Sequence, residues 1–94
     1  MNLLKLKFYA EQLDAAIQKY RTSNSDVEWL ATYSTLTSAI SAAKAGALVI
    51  PMRDLGCGRF VLESEIPGIR EVADPLSAFT LLAEGFDLPE DPIL

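Results

Sequence analysis

The sequence contains no histidine and a single cysteine, Cys57. Those two counts remove most of the usual catalytic repertoire. Serine and cysteine hydrolases, zinc enzymes and most general acid–base sites draw on an imidazole or on clustered thiolates. A lone cysteine makes no internal disulfide, so a reducing cytoplasmic compartment is the expectation. Long hydrophobic runs are also missing. The apolar segment in the middle of the chain, Ala47-Leu48-Val49-Ile50, stops at Pro51, far short of the roughly 20 residues that span a bilayer. The start, Met1-Asn2-Leu3-Leu4-Lys5-Leu6-Lys7, lacks the basic-then-apolar order of a signal peptide. No membrane association is expected.

Basic residues are scarce in the second half. Residues 1–53 carry six lysines and arginines against four carboxylates, a balance of +2, whereas residues 54–94 carry only Arg59 and Arg70 against nine carboxylates, a balance of −7. A chain of this kind offers no basic stripe to a phosphate backbone, so nucleic acid is not an expected partner. Its acidity favours encounter with a basic protein surface instead.

What is present is a well-patterned core for one domain of 94 residues, half of them apolar. Leu3, Leu6, Ala10, Leu13, Ile17 and Tyr20 recur at alternating spacings of three and four, which predicts an amphipathic helix over residues 3–21. The polar cluster Thr22–Ser25 ends it, and Ser25 followed by Glu28 reads as a capping box opening a second helix near Asp26. Its expected seam is Trp29, Tyr33, Leu36, Ile40, Ala43 and Ala47, with Gly46 as the C-terminal cap. The two form an antiparallel helical hairpin. Leu48–Ile50 and Arg59–Glu63 read as short strands joined through Gly56-Cys57-Gly58, a small β-hairpin. Asp74 before Pro75 reads as the start of a C-terminal helix with Leu76, Phe79, Leu81 and Leu82 on its apolar face, ended by Gly85. An extended tail, residues 86–94, follows. The expected fold is thus mainly α, of the α+β kind.

Candidate chemistry is thin. Cys57 lies on a glycine turn near Arg53 and Arg59, which favours a thiolate, yet no proton-shuttling partner exists in the chain. The Gly56-Cys57-Gly58-Arg59 turn offers backbone N–H groups to an anion, but matches neither a Walker loop nor a dinucleotide fingerprint. Carboxylate pairs Glu63/Glu65 and Glu90/Asp91 fit no calcium loop. No metal or cofactor is expected, and no enzymatic activity.

Two features point to a protein partner. From Trp29 to Ala43 fifteen consecutive residues carry no charge, and off the seam stand Thr32, Ser34, Thr35, Thr37, Ser38 and Ser41 with alanines between them. Such a helix face allows close backbone approach, through a homodimer for example. The second feature is the acidic end of the chain, where Glu63, Glu65, Glu84, Asp87, Glu90 and Asp91 accompany the apolar Phe86, Leu88 and Ile93. Apolar anchors inside a charged rim are the common anatomy of a binding patch. The expected function is a non-enzymatic interaction domain, an acidic inhibitor of the immunity-protein or phage-encoded type that occludes a partner. A homo-oligomeric assembly protein, or an anion binder using the Gly56–Arg59 turn, is the alternative.

Overall fold

The computed structural model describes residues 3–48 and 61–85. They form α1 (Leu3–Tyr20), α2 (Ser25–Thr32), α3 (Ser34–Lys44), a 3-10 turn (Ile66–Gly68) and α4 (Arg70–Ala83). The architecture is mainly helical, and among the described residues there is no strand. Helix α1 is the hub. It packs most extensively on α4, then on α3 and α2, while α3 and α4 meet each other little.

One contiguous core holds these elements together. Leu6, Ala10, Leu13, Ala16 and Ile17 of α1 meet Val27 and Leu30 of α2, Leu36, Ala39, Ile40 and Ala43 of α3, Ile66, and Val72, Leu76, Phe79, Leu82 and Ala83 of α4. None of the described polar or charged residues is buried, so the core forms by apolar contact alone, without desolvating charge.

The expected α1 seam is present, apart from its ends. Leu3 is 38% exposed and Tyr20 half-buried, and Ala16 joins the core. The second helix departs more. It is not one helix but two, broken at Tyr33, whose backbone is extended (φ −79°, ψ 106°). The reason lies in the apolar spacing. Along a single straight helix of 3.6 residues per turn, Val27 and Leu30 fall on the side opposite Leu36, Ile40 and Ala43. A break re-aims the second group, and both sets then reach the core. The chemistry at the break assists. Thr32 Oγ1 donates to the Trp29 carbonyl at 3.0 Å, and hydroxyl residues compete with the helical ladder in this way. Trp29 therefore leaves the expected seam. It is 37% exposed and stacks on Tyr33, with ring centroids 4.8 Å apart. Ala47 is exposed as well. Leu36 is fully buried as expected.

The caps differ by one residue from the reading of the sequence. Asn24, not Ser25, is the N-cap of α2, and its Oδ1 accepts from the N–H groups of Asp26 (2.9 Å) and Val27 (3.2 Å). Glu28 does not complete a capping box, since Asn24 as N-cap puts Val27 at the third helical position, and the Arg21 guanidinium takes both Glu28 oxygens at 2.7 and 3.1 Å. Gly46 does close α3. With φ at 72° it lets Ala47 N–H reach the Ala42 carbonyl and its own N–H reach the Ala43 carbonyl, a Schellman ending.

The β-hairpin is not supported. Val61 and Leu62 have helical backbone rather than extended. The rest of that expectation, including Leu48–Ile50 beyond residue 48 and the Gly56–Arg59 turn, lies outside the described residues. Ser64 helps turn the chain here, donating to the Val61 carbonyl (2.8 Å) while its hydroxyl accepts from Ile66 N–H (3.0 Å).

The last helix begins at Arg70 rather than Asp74. Ile69 precedes it, and its carbonyl accepts from Val72 and Ala73. Pro75 thus lies inside α4, where its missing N–H costs one bond to the Glu71 carbonyl. Burial of Val72 and contacts of Glu71 with α1 hold this first turn in place. Leu76, Phe79 and Leu82 are buried as expected, Leu81 is 37% exposed, and Gly85 follows with φ 95°.

Candidate functional site

The contacts between α1 and α4 fix the placement of everything else. Lys19 Nζ donates to both Glu71 oxygens (3.2 and 3.0 Å), and Tyr20 Oη donates to Glu71 Oε1 at 2.7 Å. The C-terminal turn of α1 is thereby tied to the N-terminal turn of α4. Farther along, Gln12 and Ala15 share a cleft of about 440 Å³ with Asp74 and Pro75. The two helices therefore run antiparallel, and the C-terminus of α4 comes to the N-terminal half of α1.

This geometry separates the described acidic candidates. Glu65 sits at one end. Its N–H donates to Asp26 Oδ2 (2.9 Å), and Asn24 Nδ2 donates to its side chain (3.2 Å). Glu63 is two residues away on the same exposed turn. Glu84 is the C-cap of α4 at the other end. Helix α4 has 14 residues, about 21 Å of rise, between them. Each location has an exposed leucine beside its carboxylate. Leu62 is 80% exposed next to Glu63, and Leu81 stands one turn before Glu84. Phe86, Asp87, Leu88, Glu90, Asp91 and Ile93 lie outside the described residues, as do Cys57, Arg53 and Arg59.

The charge imbalance along the sequence is partly folded over. Glu71, from the acidic half, is matched by Lys19 from the basic half. Arg21–Glu28 (2.7 Å) and Lys44–Asp14 (2.8 Å) are matched within the first half, and Arg70–Asp74 (3.5 Å) spans one turn of α4. All four pairs face solvent, whose screening leaves them little weight in stability. Their electrostatic effect is consistent. The hydrogen bonds from Tyr20 and Lys19 hold the Glu71 carboxyl below the usual range, and that from Arg21 does the same for Glu28. Glu71 raises the Lys19 ammonium and the Tyr20 phenol, and Asp14 raises Lys44. Each of these shifts moves the group's pKa farther from pH 7. An effective general acid or base has its pKa near the working pH, and none of these groups is tuned that way.

Among the described residues no group of three or more metal-ligating side chains comes together, and no helix is long and apolar enough to cross a membrane. A second cleft, about 200 Å³, lies between α1 and α3, where Ile17 and Ile40 form the floor and the Asp14–Lys44 pair stands at the edge. The uncharged segment contributes Ala31, Thr37 and Ser41 to its walls. Thr32, Ser34, Ser38 and Ser41 are exposed, Thr35 and Thr37 half-buried.

One surface is missing from the expectations drawn from the sequence. Leu4 is 83% and Phe8 53% exposed on α1. At 3.6 residues per turn, Leu4, Phe8 and Ala15 fall diametrically opposite the buried seam. The signal was legible as the doublets Leu3-Leu4 and Phe8-Tyr9, which place apolar side chains on both sides of one helix.

No family model, curated protein or solved structure matches the chain.

Proposed function

We propose that the chain is a non-enzymatic protein-binding domain, an acidic inhibitor that acts by occluding a partner with a basic surface. The observation that carries this reading is Leu81, left exposed one turn before Glu84 at the end of α4 where residues 86–94 begin. An exposed apolar anchor stands there beside a carboxylate, and the sequence continues with Phe86, Leu88 and Ile93 among Asp87, Glu90 and Asp91. Apolar anchors would supply the affinity, and the carboxylate rim would supply the association rate. Glu63 and Glu65, with Leu62, would touch the same partner if it spans the length of α4.

The test is affinity capture with the wild-type chain and with Leu81→Lys and Glu84→Lys variants as baits. A stoichiometric partner that loses its own activity in the complex, and that both variants retain poorly, supports the reading. Association kinetics of that complex should slow with added salt. Equal capture by all three baits, or a salt-independent association rate, would overturn it.

A further inference from the structure

We propose that the outward side of α1 pairs with the same side of a second copy of the chain, antiparallel about a two-fold axis near Tyr9. This pairing does not depend on the inhibitory reading. Leu4 and Phe8 are two large apolar side chains, 83% and 53% exposed, and Ala15 is exposed on the same line two turns beyond Phe8. A helix that needed only the intramolecular core would carry polar residues there.

The pattern is self-complementary. In an antiparallel pair centred on position 9, each residue faces the one equally far on the other side of the centre in the second copy. Phe8 then lies across the axis close to its own copy. Leu4, the most exposed side chain of the line, falls within about one residue's rise of Ala15 in the other copy, where a small side chain leaves room for it. A two-fold axis of this kind brings the same flank of each helix together. Lys7 and Glu11, both exposed, occupy one flank of the line and stand two positions either side of the centre. Each Lys7 would meet the Glu11 of the other copy, giving two symmetric ion pairs beside the apolar contact. A parallel pair, whose two-fold axis runs along the helices, would bring opposite flanks together and keep Lys7 and Glu11 apart, so only the antiparallel arrangement pairs both charges. A single helix-on-helix contact falls at the small end of stable interfaces, so the association should be in the micromolar range or weaker.

Sedimentation equilibrium on the full chain, from micromolar to near-millimolar protein, tests this. The wild type should show a reversible monomer–dimer equilibrium. Lys7→Glu and Glu11→Lys alone should each dimerise at least roughly 10-fold more weakly, since both pairs become repulsive. An equimolar mixture of the two variants should recover association, because one is then acidic at both positions and the other basic at both. Phe8→Glu should be monomeric while keeping the wild-type helical circular dichroism, since position 8 lies outside the core. A wild type that stays monomeric throughout would overturn the proposal. So would a mixture that associates no better than its components, or a Phe8→Glu variant that dimerises like the wild type.

Discussion

Helices α1 and α4 pack along each other, yet they distribute their apolar residues differently. Helix α4 concentrates them on one side. Val72, Leu76, Phe79, Leu82 and Ala83 are buried, and of its large apolar side chains Leu81 alone is exposed. Helix α1 buries Leu6, Ala10, Leu13, Ala16 and Ile17, then carries Leu4 and Phe8 on the opposite side. The apolar content of α1 therefore exceeds what the core uses. The inward seam accounts for stability, and the outward line is available for contact with another molecule.

The largest effect expected from this contrast is at two phenylalanines. Phe79 is fully buried and Phe8 53% exposed. Phe79→Ala should cost about 3–5 kcal/mol in chemical denaturation, and Phe8→Ala no more than about 0.5 kcal/mol in dilute protein. Comparable losses would mean that the outward line of α1 is covered by the fold itself.

Smaller effects are expected at the helix ends. Asn24→Ala should cost about 1 kcal/mol by removing the cap of α2, whereas Ser25→Ala should cost only a few tenths, both read from denaturation midpoints. The reverse order would restore the capping box at Ser25. Gly46→Ala should cost about 1 kcal/mol, because the space around Gly46 is open and the penalty comes from its φ of 72° alone.

The smallest expected effect is electrostatic. The folded-state pKa of Glu71 is depressed below its ordinary value near 4.5 by Tyr20 and Lys19. A depressed carboxylate contributes stability that is fully present above the unfolded value and lost as pH falls through the folded one. The thermal midpoint should therefore show no change from this group between pH 7 and 5 and a decline below about 4.5. Glu71→Gln should flatten part of that decline, measured by circular dichroism melts across pH. An unchanged acid profile in the variant would mean that the Lys19–Tyr20–Glu71 contact adds nothing to stability.

How far the sequence revealed this molecule follows from the kind of signal each region carries. Helix α1 and the buried face of α4 were legible because their apolar residues keep one helical phase over several turns. Residues 25–44 misled, since the seam from Trp29 to Ala43 keeps one phase as well, while Val27 and Leu30 sit on the other. Only packing against α1 decides between the two, and it does so by breaking the helix at Tyr33. The start of α4 misled for a related reason. Asp74-Pro75 has the local chemistry of a helix start, but tertiary contacts of Val72 and Glu71 extend the helix back to Arg70. Of the candidate site, Glu63, Glu65 and Glu84 are exposed or half-buried, but their separation is set by the length of α4, whose first turn from Arg70 the local Asp74-Pro75 signal concealed.

Two leucines two positions apart decide whether α1 is two-sided. Leu6 is fully buried and Leu4 is 83% exposed. Unfolding of Leu6→Ala and Leu4→Ala should be compared at protein concentrations low enough that self-association adds nothing to stability. The expected loss is about 2–5 kcal/mol for Leu6→Ala and at most about 0.5 kcal/mol for Leu4→Ala. Equal losses, or a larger one at Leu4, would mean that α1 does not have an inward and an outward apolar side.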